Sequence, residues 1–77
     1  MHYEKLKSLL EEWKLYTSKE AETPSRIIRL EKWSIAKSTE ITLTEMRKTD
    51  EFEKISEEDQ KIIEAIYNYL NITASTM

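Results

Sequence analysis

The chain has 77 residues, a formal net charge of −3, one proline, and neither glycine nor cysteine. That length allows one domain with a thin core, and with no disulfide framework available, oligomerisation is the usual way to gain stability. The missing cysteines exclude a thiolate nucleophile and a sulfur metal site; the missing glycines exclude P-loop and dinucleotide-type phosphate loops and the glycine turns of tight β-hairpins.

Helix 1 is predicted over residues 3–19. Tyr3, Leu6, Leu9, Leu10, Trp13 and Tyr16 recur at spacings of three and four, which puts them on one stripe. The pattern is too short to sustain an isolated coiled coil, so the stripe is a packing face within a bundle. His2, the single histidine, lies where chain ends tend to fray. Thr23 suits an N-cap and Pro24 the first helical turn, where its missing N–H costs nothing. Helix 2 is therefore expected over residues 24–48. The short link before it implies an antiparallel helical hairpin.

At 100° per residue, helix 2 carries two apolar lobes. Ile27, Leu30, Ser34 and Ile41 form one; Ile28, Ile35, Ala36, Leu43 and Met46 form the other. Two lobes imply two packing partners, and the oligomer interface is assigned to Ile28, Ile35, Leu43 and Met46, with a dimer favoured. Residues 39–44, Thr-Glu-Ile-Thr-Leu-Thr, alternate as a strand does. No second segment alternates well enough to pair with them, so helix is the preferred reading and strand stays open.

A short turn follows at 50–55, with Phe52 and Ile55 as apolar anchors. Ser56-Glu57-Glu58-Asp59 has the form of a capping box, and its acids suit the positive end of a helix dipole. Helix 3 is predicted over residues 57–71, burying Ile62, Ile63, Ile66, Tyr69 and Leu70. Residues 73–77 read as a frayed tail. The expected fold is all-α: one helical domain over residues 1–77, a small three-helix bundle made of an antiparallel helical hairpin plus a C-terminal helix, assembled as an oligomer.

Catalysis needs a positioned base, a nucleophile or a metal. The serines and threonines have no internal histidine to activate them. The acids are accounted for by caps and solvated helix faces. A carboxylate metal site would draw on an EF-hand loop or inward Glu-x-x-His pairs, and the sequence has neither. No enzyme activity, catalytic residue, metal or cofactor is expected. No run approaches the roughly 18 apolar residues of a bilayer span, and no signal-peptide core is legible. A cytoplasmic protein without membrane contact is expected.

Charge is uneven along the chain: −1 over residues 1–23, +3 over 24–48 and −5 over 49–77. A basic middle helix and an acidic last helix attract one another. On helix 2, Arg26, Arg29 and Lys37 group around Trp33, one or two turns away. Guanidinium and indole groups can hold a phosphate and stack a base, or anchor an acidic partner. The structural alternative is that Trp33 packs in the core, as tryptophans in small bundles commonly do.

The segment Trp33-Ser34-Ile35-Ala36-Lys37-Ser38 resembles the central helix of small helical phage proteins that sequester cyclic nucleotide signals of bacterial immunity. The resemblance covers those six residues and implies capture of an anionic nucleotide. Abundant Lys, Ile and Tyr also match the AT-rich coding typical of phages and mobile elements.

The expected function is a non-enzymatic binding protein. It would be a small helical homo-oligomer, phage- or plasmid-encoded, acting as a regulator or inhibitor by occupying an unidentified protein partner. The second reading is a nucleotide sponge at Arg26, Arg29, Trp33 and Lys37. A DNA-binding regulator comes third, because the net negative charge weighs against nucleic acid.

Overall fold

The structure, a computed structural model, describes residues 2–76, with side chains described as far as Ile72. Among these residues the chain forms three α-helices and no strand: α1 (His2–Glu22), α2 (Arg26–Met46) and α3 (Glu57–Thr76). A short 3-10 helix, Asp50–Lys54, joins α2 to α3.

The end of α1 and the start of α2 differ from the expected positions for one reason. Nothing in Glu20-Ala21-Glu22 stops a helix, so α1 continues until Pro24 disfavours helical geometry in the residue before it. Thr23 belongs to that end, since its N–H reaches Lys19 O at 2.9 Å. The cap of α2 is therefore Ser25, not Thr23. Ser25 is extended, and its Oγ accepts from Ile27 N at 3.2 Å. At the other end of the link, Arg29 N donates to Ser25 O at 3.1 Å.

The alternating segment 39–44 is helical. Its threonines are accommodated because each hydroxyl donates to the carbonyl one turn back: Thr39 to Ile35 and Thr42 to Ser38 at 2.8 Å, Thr44 to Glu40 at 3.0 Å. Thr39 and Thr42 are buried, and these bonds leave no hydroxyl unsatisfied. Thr49 then serves two elements. Its Oγ1 donates to Met46 O at 3.0 Å, closing α2, and accepts from Glu51 N at 3.2 Å, opening the 3-10 helix.

Ser56 caps α3 as the sequence predicts, accepting from Asp59 N at 3.2 Å. The return half of the capping box is replaced by a tertiary contact. Asp59 is buried and takes the Lys7 ammonium at 3.0 Å, fastening the start of α3 to α1. That hydrogen bond, reinforced by the carboxylate charge, raises the Lys7 pKa above its ordinary value.

Both chain ends depart from the frayed reading: His2 opens α1, and residues 73–76 continue α3, which meets no glycine or proline to stop it. Met77 lies outside the described residues.

The helices run up, down and up. Lys7 meets Asp59 near the start of α1 and of α3, while Trp13 meets Tyr69 further along both. The core interleaves Leu6, Leu10 and Trp13 from α1 with Ile35, Ala36, Leu43 and Met46 from α2, and with Ile63, Ile66 and Leu70 from α3. Ile55 closes it from the connector, whereas Phe52 stays exposed beneath the Arg47 guanidinium, 5.2 Å from the ring centroid. Phe52 is thus a surface stacking partner and not a core anchor. No helix of the described chain is long and apolar enough to cross a membrane.

Candidate functional site

The two lobes of α2 take roles opposite to those expected. Ile35, Leu43 and Met46 are buried in the chain's own core, and Ile28 is half-buried. The interface assigned to Ile28, Ile35, Leu43 and Met46 is therefore occupied internally by α1 and α3. Both flanking helices lie on this one side, because three helices enclosing a single core each turn only one face inward.

The opposite lobe has no cover. Ile27 is 71% exposed, Leu30 62%, Ile41 61% and Trp33 39%. From Ile27 to Ile41 this strip runs about 21 Å along the helix, at 1.5 Å per residue. Isolated exposed apolar side chains are ordinary on protein surfaces; four on one helix face, opposite the core, form a patch of the kind that marks contact sites.

The structure only partly assembles the basic cluster. Lys37 lies over the Trp33 ring, 5.8 Å from its centroid, and its ammonium also meets Glu40 at 3.4 Å. Arg29 turns away toward α1, where Nε comes within 3.8 Å of Glu20. Arg26 is exposed at the first turn of α2 and has no carboxylate contact among the described residues. Of the four expected site residues, Arg26, Trp33 and Lys37 thus border the open face, and Arg29 does not. Trp33 is a surface residue; the core tryptophan is Trp13.

Sequence reasoning passed over Lys32, which is only 5% exposed. Its ammonium sits 3.0 Å from Glu20 Oε1, 4.5 Å from the Trp13 ring centroid and 5.1 Å from that of Tyr69. Those two rings meet edge to face at 5.2 Å, and the Tyr69 hydroxyl donates to Arg29 O at 3.2 Å. One buried cation thus joins all three helices. A desolvated cation over aromatic faces gains about 2 kcal/mol. The signal was present in the helical wheel, since Lys32 falls in the sector of Ile28, Ala36 and Thr39. This cluster is satisfied internally and offers nothing to a ligand.

Among the described residues, no group of acids and histidine is placed to hold a metal ion. No protein-family model matches the chain, and no curated protein or solved structure is detectably similar to it.

Proposed function

We propose that this chain is a non-catalytic interaction module, a regulator or inhibitor that works by occupying a macromolecular partner, with the outer face of α2 as its contact surface. The observation that carries this reading is the exposure of Ile27, Leu30, Trp33 and Ile41 on the one side of α2 that the bundle leaves uncovered. An aromatic anchor beside aliphatic groups, edged by cations, is the usual anatomy of a protein contact. The occupant best suited to such a strip is another helix, seated along it with its own apolar stripe.

The nucleotide reading has less behind it. Lys37 over Trp33 favours it, but Arg29 and Lys37 each already meet a carboxylate, and Ser25 takes up one of the N–H groups at the helix start.

The test is a paired replacement, Leu30→Asp with Ile41→Asp. Both side chains are exposed in the single chain, so helicity and melting temperature should stay close to those of the parent chain measured dilute. Affinity capture from host lysate followed by mass spectrometry should lose its bound protein. Capture of the same protein by the double variant would place the contact surface elsewhere.

A further inference from the structure

We infer that the outer face of α2 is covered by a second copy of this chain, docked antiparallel about a two-fold axis at Ser34. The inference rests on that face being a contact surface and names its occupant in the free chain, which a partner's helix would have to displace.

The strip is close to palindromic. Ile27 and Ile41 stand seven residues either side of Ser34, two turns each way, and all three residues are exposed on this face. An antiparallel copy centred there sets each Ile27 against the other copy's Ile41. Ser34, small and central, lets the two helices approach closely where a bulky residue would hold them apart. Leu30 then has room over the other copy's central turn. The spacing of Ile27, Leu30, Ser34 and Ile41 follows a heptad seam, which is what a helix pair buries.

The flanking charges specify the direction. Arg26 and Glu40 stand seven residues either side of Trp33 on the same flank of the strip. With the axis at Ser34, reversing the second helix brings each Arg26 to within two residues, about 3 Å along the axis, of the other copy's Glu40, with the two tryptophans between them. Each Arg26, which has no carboxylate contact in its own chain among the described residues, thereby gains one. Glu40, half-buried and already beside Lys37, would then lie between two cations. A parallel copy would set each Lys37, the seam position between Ser34 and Ile41, against the other copy's Lys37, and like charges at a contact are strongly disfavoured. The same patch used on both subunits makes a closed, isologous pair, so assembly stops at two copies. A thin core gains most from such pairing.

Cysteine crosslinking tests the geometry directly, because the chain has no native cysteine. Ser34→Cys lies on the proposed axis and should form a disulfide-linked dimer under mild oxidation, with its Cα atoms within the roughly 4.4–6.8 Å a disulfide spans. Ile27→Cys and Ile41→Cys should each stay monomeric under denaturing, non-reducing conditions. Mixed together, they should crosslink to one another. Self-crosslinking of Ile27→Cys as fast as that of Ser34→Cys would mean a parallel pair and overturn the inference. So would the absence of crosslinking in all combinations. In that last case the Leu30→Asp, Ile41→Asp capture result separates the two claims: lost capture keeps the contact surface with a different occupant, and retained capture removes both.

Discussion

Leu43→Ala should remove most of the chain's stability. Leu43 is fully buried, in one cluster with Leu6, Leu10 and Met46, and no solvent-side position can relax into the space it leaves. Truncating a leucine at such a site costs about 2–5 kcal/mol, from lost transfer energy and the residual cavity. A single core in a chain this small supplies about 3–5 kcal/mol. The expected result is a melting temperature lower by at least about 8 °C, at about 4–8 °C per kcal/mol, or no cooperative transition at all. Leu15→Ala is the matched control on α1. Leu15 is more than half exposed, and its replacement should change stability by no more than about 0.5 kcal/mol. Thermal unfolding followed by circular dichroism separates the two. Equal melting temperatures for both variants would mean that the two lobes of α2 are assigned the wrong way round.

The second large effect is expected at Lys32. Lys32→Ala removes the cation between Trp13 and Tyr69 and leaves Glu20 with Arg29 alone, at 3.8 Å. Breaking a buried pair costs about 3–5 kcal/mol; the remaining exposure of Glu20 to water lowers the expectation to about 2–3 kcal/mol. Lys32→Met with Glu20→Gln fills the same space without a charge, and it should sit within about 1 kcal/mol of the parent chain, because apolar replacement of a buried ion pair is often neutral. Chemical denaturation of the three chains checks this. A Lys32→Ala variant as stable as the parent would show that the ammonium contributes nothing beyond its stem.

The contrast between Lys32 and Trp33 shows what the sequence could reveal. Helix type was legible wherever periodicity was strong, as in the stripe from Leu6 to Trp13 and the Ser56 cap, because those signals are local. The direction in which α2 faces was not local. Both of its lobes are apolar, so choosing between them needs the positions of α1 and α3, and those follow from the whole packed core. The same ambiguity made Trp33 a reasonable core residue and Lys32 an unremarkable cation, when Trp13 already supplied the buried indole and Lys32 filled the space beside it. Ser25 was missed as a cap because Thr23-Pro24 offers the more familiar pattern; only the Thr23 N–H contact to Lys19 shows which helix Thr23 belongs to. Arg29 illustrates the limit for site residues. Helical spacing set it near Trp33, but a carboxylate from another helix, Glu20, holds it elsewhere.

The central claim is that the uncovered face of α2 is where this chain makes its contacts, first of all with itself. Sedimentation velocity across a concentration series, run on the parent chain and on Leu30→Asp with Ile41→Asp, tests it most directly. The parent should shift from monomer to a dimer that goes no further, with a midpoint in the micromolar range. The double variant should remain monomeric throughout, with helicity and melting temperature close to those of dilute parent chain. A parent chain that stays monomeric at every concentration, or a double variant that dimerises as the parent does, would contradict the account.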